Sequence, residues 1–163
     1  MDEHQEGKNV SINADETDEI LKRVYSRFRE WDFTPPDTEA LVFDFGLSDF
    51  ETTGEVEFWI ANEVDAGYCG KFLFVFDGQS CPLHHHRDKL ETFFLLFGRV
   101  KMVYDGVERM MNPGDTLKVE SGLDHGFTGV GPALLLEVSQ PSIIRDNYFK
   151  NRNIPFGGNY RSE

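Results

Sequence analysis

Cysteine is scarce in this chain, and long apolar runs are absent. Cys69 and Cys81 are its two cysteines, too few for the disulfide framework of a small secreted protein. No stretch approaches the ~18 consecutive apolar residues that suggest a transmembrane helix. We therefore expect reduced thiols and no helix that crosses a membrane.

Positive charge is also in short supply, because 16 lysines and arginines face 29 aspartates and glutamates. The formal net charge of -13 argues against nucleic acid and anionic membranes as partners. The N-terminus is polar and acidic, which matches neither a signal peptide nor an Arg-rich transit peptide. Together with the reduced thiols, these features predict a cytoplasmic protein.

The hydrophobic pattern predicts a single domain at residues 15–163, behind a disordered segment at residues 1–14. Apolar residues recur at helical spacing from Ile20 to Trp31 and predict an N-terminal helix over about residues 15–31. Pro35 and Pro36 end this segment. We expect the apolar stripe to pack on the outside of the domain; the alternative is that it binds a partner.

From about residue 40 to residue 140 the pattern changes to short apolar segments with turn residues between them. The predicted strands are 40–45, 55–62, 70–76, 83–86, 91–97, 99–104, 107–111, 116–119, 125–128 and 133–139. Strands this short and evenly spaced indicate an all-β antiparallel sandwich or barrel. The strand at 91–97 has little polar alternation. One of its faces should line the barrel, and the other should meet a second sheet, the helix or another subunit.

Three histidines and one glutamate form a pattern typical of metal ligands. His84 and His86 are two residues apart on a predicted strand, so their side chains share a face and that of His85 points away. Glu91 follows after a short turn, and His125 comes later in the chain. Each residue alone has an ordinary explanation in the core or at the surface. Together, three imidazoles and one carboxylate suit a divalent transition metal.

The spacing of these residues resembles the motifs of the cupin family. The first motif, Gly-x5-His-x-His-x4-Glu-x6-Gly, is matched without departure from Gly78 to Gly98. The second is matched at Gly114, Gly122 and His125, with Glu120 and Gly129 in place of its Pro and Asn. The resemblance implies a double-stranded β-helix, or jelly-roll barrel, that binds its metal through His84, His86, Glu91 and His125. Mn²⁺ is the expected ion, with Fe, Co, Ni and Zn as alternatives.

A longer part of the chain, roughly residues 17–156, resembles the D-lyxose isomerase family. The residues around the first motif that carry this resemblance are Lys71, Gln79, Pro82 and Lys89. The helix with its Pro-Pro tail is also similar, as is the end of the barrel from Glu137 through Asp146, Asn147 and Phe149. Tyr148 stands where the family has an Arg, which puts an arginine contact with substrate in doubt.

The resemblance implies an aldose–ketose isomerase for D-lyxose or D-mannose that moves a proton between C1 and C2 through an enediol. Glu137 is the implied base and Lys89 a second catalytic group, while Lys71, Asp146 and Asn147 are implied substrate contacts. The residues themselves leave structural roles open. Glu137 could form a salt bridge at the barrel rim, the lysines could be solvated, and Asp146 and Asn147 could anchor the tail.

Two other functions are compatible with the same ligands, because the cupin fold carries many activities. One is a non-catalytic sugar-binding cupin, and the other is an Fe-dependent cupin dioxygenase. The dioxygenase gives no obvious reason for Lys71, Lys89 and Glu137 to cluster. We expect a small-molecule sugar as substrate and a homodimer as the assembly.

Overall fold

The computed structural model describes residues 12–159 and contains, in that range, one α-helix and eleven strands. The helix, α1, spans Ala14–Glu30. The strands are β1 (Leu41–Phe43), β2 (Glu55–Glu63), β3 (Tyr68–Val75), β4 (Ser80–His85), β5 (Glu91–Phe97), β6 (Val100–Tyr104), β7 (Val107–Met111), β8 (Thr116–Val119), β9 (His125–Gly129), β10 (Ala133–Ser139) and β11 (Tyr148–Phe149). Most of the segment predicted to be disordered, residues 1–11, lies outside the described residues.

Helix α1 begins at a side-chain cap and packs through one face. The Asn13 side chain accepts a hydrogen bond from the backbone N–H of Glu16 at 3.0 Å, which satisfies a free donor of the first turn. Ile20, Val24 and Phe28 are the buried residues of the helix. They join one apolar cluster with side chains of β2, β3 and β10. The apolar stripe therefore packs on the outside of the barrel, as its spacing predicts.

The strands form two antiparallel sheets, in the orders β1-β2-β3-β10-β5-β8 and β11-β4-β9-β6-β7. The main apolar core draws on both sheets, with Leu73, Leu95 and Leu135 from the first and Met102 and Phe127 from the second. This arrangement confirms the predicted fold class, an all-β barrel with an N-terminal helix. No helix within residues 12–159 is long and apolar enough to cross a membrane.

Strand β10 lies between β3 and β5 and brings distant parts of the chain together. Its residue Glu137 is paired with Lys71 on β3 and with Phe93 on β5. Side chains that are directly opposite on antiparallel strands lie on the same face and close together. The register of β10 thus places Glu137 and Lys71 side by side inside the barrel.

Two features differ from the expectations. The outer side of β5 is only partly covered within one chain, because Phe94 is 37% exposed. Helix α1 covers the neighbouring part of the sheet, where Trp31 stacks on Phe97. Strand β11 was not predicted, since two residues are too few to show a strand period.

We predict that Phe28→Ala lowers the free energy of unfolding by about 3–5 kcal/mol, because a buried ring in contact with Phe58 and Phe74 leaves a cavity when truncated. Urea denaturation followed by circular dichroism measures this loss. Lys22→Ala, on the exposed face of the same helix, should change the value by no more than about 0.5 kcal/mol. Equal losses in the two variants would contradict the packing of the helix.

Candidate active site

The predicted metal ligands converge at one end of the barrel interior. The ligand atoms of His84, His86 and His125 lie within 4.8 Å of one another, and all three residues are buried. His84 on β4 is paired with His125 at the start of β9, which explains how residues 41 positions apart come together. Glu91, the first residue of β5, brings its Oε1 to 2.6 Å from His125 Nε2 and 3.4 Å from His86 Nε2.

Main-chain carbonyls fix the orientation of all three imidazoles. Each Nδ1 lies against a backbone oxygen: His84 against Pro82 at 2.8 Å, His86 against Asp146 at 3.1 Å and His125 against Leu123 at 3.1 Å. A carbonyl oxygen can only accept, so each Nδ1 carries the hydrogen and donates it. The Nε2 lone pairs are therefore the ones available for a ligand, as in most protein sites where histidine binds a metal.

The atoms at the centre of this cluster fit a metal and have no other partner. His86 Nε2, His125 Nε2 and Glu91 Oε1 are buried and make no hydrogen bond among the described residues. Burying such polar atoms without a partner is costly, and native proteins rarely do so. Three imidazole nitrogens and a carboxylate oxygen that converge on one point are a donor set suited to a divalent cation.

The charges around the site favour the forms that bind a metal. Burial lowers the pKa of His84 well below its usual value, and the two neighbouring imidazoles lower it further, so His84 is neutral. Burial acts to raise the pKa of Glu91, but the Lys89 ammonium at 2.8 Å and the nearby imidazoles of His125 and His86 hold it well below the usual range. Glu91 is thus a carboxylate.

A chain of alternating buried charges leads from the metal centre into the barrel. Lys89 Nζ lies 2.8 Å from Glu91 Oε2 and donates to Glu137 Oε1 at 2.9 Å. The other oxygen of Glu137 is 3.8 Å from Lys71 Nζ, and Lys71 donates to Glu57 Oε1 at 2.7 Å. The predicted residues Lys71, Lys89 and Glu137 are therefore brought together in the same cluster as the ligands.

Sequence reasoning missed the acidic residues of β2. Glu55, Glu57 and Trp59 alternate along this strand, point inward and are buried. Trp59 Nε1 donates to Glu57 Oε2 at 2.9 Å, and its ring lies 4.6 Å from Lys71 Nζ. The alternation Glu-x-Glu-x-Trp was the available signal that these three residues share one face of the strand. It does not show which face points inward, because Val56 and Phe58 on the opposite face are apolar and equally suited to a core.

Asp146 and Asn147 lie beside the site, with different surroundings. The Asp146 carboxylate accepts hydrogen bonds from the backbone N–H groups of Arg87, Asp88 and Lys89 at 2.9–3.2 Å. The same residue's carbonyl orients His86. Asp146 thus holds the loop between the last histidine of the pair and Glu91. Asn147 lines the cavity, and its side-chain amide donates to the carbonyls of Ile143 and Ile144, at the start of a short 3₁₀ turn (Ile144–Asp146).

The substitution of Tyr148 for the family's Arg falls outside the cavity. Strand β11 pairs Tyr148 with His85 and Phe149 with His84. The Tyr148 ring stacks on His85 at 5.2 Å on the outer side, while Phe149 lines the cavity. His85 lies 3.1 Å from Asp124 and points away from the metal cluster, as strand alternation predicts.

The cluster lies in the wall of a cavity between the two sheets. One part of this wall is polar and carries Glu55, Glu57, Lys71, Lys89 and Glu137. The remainder is apolar and aromatic, formed by Leu41, Phe43, Phe45, Phe93, Phe127, Ile144, Phe149 and Phe156 among others. A wall of this composition suits a small molecule that presents hydroxyls to one side and carbon atoms to the other.

Comparison with known proteins gives similarities in both sequence and fold. Residues 73–139 match the family described as cupin domain. The chain is 34% identical to the D-lyxose/D-mannose isomerase of Thermosediminibacter oceani, over 83% of this chain and 91% of that protein. It is 29% identical to the D-lyxose ketol-isomerase of Cohnella laeviribosi, over 80% of this chain and 86% of that protein. In fold it is similar to the L-ribose isomerase of Cellulomonas parahominis, with a TM-score of 0.70 and 18% identity, over 89% of this chain and 95% of that one.

We predict that Mn²⁺ added to metal-stripped protein raises the melting temperature. At a concentration ~100 times the dissociation constant the stabilisation is about 2.7 kcal/mol, or roughly 5–10 °C for a domain of this size. Differential scanning fluorimetry measures the shift. His125→Ala should abolish it and His85→Ala should retain it, because His85 points away from the cluster. A shift that is the same in both variants would contradict the ligand assignment.

We predict that Asp146→Ala weakens metal binding about 10- to 100-fold, because the loop that carries Lys89 loses the carboxylate that orders it. Competition with a chelating indicator measures the affinity. Asp115→Ala is the matched control, since Asp115 accepts a backbone N–H in an exposed turn outside the site. An unchanged affinity in Asp146→Ala would show that the loop keeps its shape without this carboxylate.

Proposed function

Because the chain belongs to the D-lyxose/D-mannose isomerase family of cupins, we propose that it interconverts a free aldose and its ketose, with D-lyxose and D-mannose as substrates. The observation that carries this proposal is the position of Glu137. The Lys89 ammonium group forms ion pairs with both the Glu137 carboxylate and the proposed ligand Glu91. This position, in the wall of the same cavity, supports a role for Glu137 as the base beside the proposed metal centre.

We propose that His84, His86, Glu91 and His125 hold a divalent cation, with Mn²⁺ as the expected ion. When bound, the ion supplies Lewis acidity, which polarises a carbonyl oxygen and stabilises negative charge on an adjacent oxygen. The chain's own contribution is to fix the ligands in advance. The three backbone carbonyls that hold the imidazoles do this before any ion or substrate arrives.

Glu137 carries out the proton transfer in this proposal. Its carboxylate takes the hydrogen on C2 of the open-chain aldose as a proton, and the electrons of that C–H bond form the C1–C2 double bond of an enediolate. The same carboxyl group then gives the proton to C1, while the C2 oxygen becomes the carbonyl of the ketose and the hydroxyl proton moves to the C1 oxygen. Ser139 Oγ donates to Glu137 Oε1 at 3.0 Å and helps to hold the carboxylate in place.

The two lysines support this transfer from either side. Lys89, between Glu91 and Glu137, donates a hydrogen bond to the oxygen on which charge develops. Lys71, between Glu137 and Glu57, donates to a hydroxyl further along the sugar. Both are buried and ion-paired, so they are held in position and do not have to be recruited from solvent.

The composition of the cavity wall favours an uncharged sugar over a sugar phosphate. Its acidic and basic residues are Glu55, Glu57, Glu91, Glu137 and the two lysines. No arginine is among the residues that line it. A dianionic phosphate would meet lysines that are already ion-paired with carboxylates and would find no bidentate partner. The aromatic wall opposite suits the carbon face of a free sugar.

The sequence also predicts a homodimer in the cytoplasm, and both statements stay predictions. Ile60, Phe94 and Val138 on the outer side of the six-stranded sheet are exposed by 53%, 37% and 50%. Such a patch would suit the contact between two copies of the chain.

We predict that Glu137→Gln lowers kcat about 10²- to 10⁴-fold, because glutamine cannot accept the proton. Chromatography of D-lyxose or D-mannose with its ketose, using Mn²⁺-loaded protein, measures turnover. Deuterium from the solvent should enter C1 and C2 with the original protein and should not with the variant. D-mannose 6-phosphate should not react.

The control for this experiment is Glu108→Gln, an exposed carboxylate on β7 that should leave kcat unchanged. Glu137→Gln should keep the thermal shift with Mn²⁺, because Glu137 is not among the ligands. If metal-loaded protein left all aldoses unchanged, the proposed isomerase activity would be wrong, and a sugar-binding cupin would be the better interpretation. Oxygen consumption with Fe²⁺ would instead indicate a dioxygenase.

A further inference from the structure

Glu55 has no role in the proton transfer and yet is buried in the cavity wall. It lies on β2, is 4% exposed and is one of the residues that line the cavity. Its Oε2 has essentially no contact with solvent and no hydrogen-bond partner among the described residues. A carboxyl oxygen in this position costs stability unless something in the cavity donates to it.

The surroundings of Glu55 favour its protonated form. Burial raises the pKa of Glu55 well above its usual range and the neighbouring Glu57 raises it further, while Lys71 and the Cys81 thiol act to lower it. A protonated carboxyl has one hydroxyl that donates and a carbonyl oxygen that accepts. That pair of functions matches a sugar hydroxyl, which also donates and accepts.

Glu55 also lies at the far end of the polar wall from the metal. Trp59 is paired with Lys71, which in turn is paired with Glu137, whereas Glu55 is four residues back along β2 and is paired with Phe43 on β1. Inward residues therefore follow the order Trp59, Glu57, Glu55 with increasing distance from the level of Glu137. An open-chain sugar held at C1 and C2 by the metal centre would extend its other end in this direction.

We propose that Glu55 is a specificity-determining residue that hydrogen-bonds the hydroxyl at the end of the open-chain sugar remote from C1. The proposal rests on the proposed function for the orientation of the sugar. In this role Glu55 Oε2 accepts a hydrogen bond from the sugar, and the enzyme distinguishes sugars by the presence of the terminal hydroxyl. The apolar residues of the same end, including Phe43 and Phe45, exclude water that could otherwise take the place of that hydroxyl.

A structural role alone does not account for Glu55. Replacing a buried polar group by an apolar one of similar size is often neutral or stabilising. Glu55→Leu should therefore fold, with a melting temperature at or above that of the original protein. This makes the variant usable as a test of recognition.

The experiment measures binding without turnover and then turnover. Isothermal titration calorimetry of Mn²⁺-loaded protein compares D-lyxitol with its 5-deoxy analogue, because these alditols have no carbonyl to react and the two ends of D-lyxitol are not equivalent. We expect the original protein to bind D-lyxitol at least about tenfold more tightly than the analogue, since a buried group would lose its partner. In Glu55→Leu the two affinities should differ by less than about twofold.

Two further variants complete the comparison. Glu55→Gln, which keeps a donor and an acceptor, should retain most of the discrimination. Glu63→Gln, at the exposed end of the same strand, should behave as the original protein. For turnover, D-mannose and 6-deoxy-D-mannose should show the same loss of discrimination in Glu55→Leu, seen in KM with kcat changed less.

The outcomes separate this proposal from the proposed function. Discrimination between the alditols that disappears in Glu55→Leu supports the role of Glu55, even if the protein turns over no aldose. Discrimination that persists in a folded Glu55→Leu overturns it, and so does equal binding of the two alditols by the original protein. Failure of the metal-loaded protein to bind either alditol also overturns it.

Discussion

The buried sequence of charges Glu91, Lys89, Glu137, Lys71 and Glu57 is the constraint on which the rest of the site depends. Each of these groups would be costly to bury alone, and each has an opposite charge within 4 Å on at least one side. Removing one member leaves its neighbours uncompensated in a medium where charges interact strongly. The arrangement therefore specifies the position of Glu137 and of both lysines relative to Glu91 and the three histidines.

The fold supplies this arrangement through ordinary sheet geometry. Strand β10 carries Glu137 between β3 and β5, so antiparallel register sets its distance from Lys71 without any loop. The loop before β5 brings Lys89 next to Glu91, and the Asp146 carboxylate holds that loop by accepting hydrogen bonds from its backbone N–H groups. Glu137 and Lys71 thus lie on strands, which hold side chains rigidly, and the loop that carries Lys89 is held by hydrogen bonds to Asp146.

Much of the fold could be predicted from sequence because its signals are local. The strands are short runs bounded by turn residues, and the helix shows its apolar stripe from Ile20 to Trp31. The His-x-His spacing indicates a shared face directly, and the structure brings His84 and His86 together with His125. The roles of Glu137 and of both lysines came from family resemblance and are still proposals.

Other features could not be read from the chain because they arise from tertiary contacts. Glu55 and Glu57 lie in a strand whose two faces are both apolar enough to be buried, so the sequence does not reveal which face meets the cavity. Strand β11 is too short for a period. The hydrogen bonds between the Asp146 carboxylate and a loop 57–59 residues earlier depend on how the C-terminal segment crosses the barrel.

The contacts of Asp146 with residues 86–89 have a consequence for the synthesis of the protein on the ribosome. The carbonyl that orients His86 belongs to residue 146, and Glu137 lies on strand β10 at Ala133–Ser139. A nascent chain that has exposed only its first 100 residues already carries His84, His86 and Glu91 but lacks His125 and the group that fixes the imidazole of His86. The cluster of three histidines is therefore complete only after β9 has been synthesised, and the carbonyl that orients His86 follows later still.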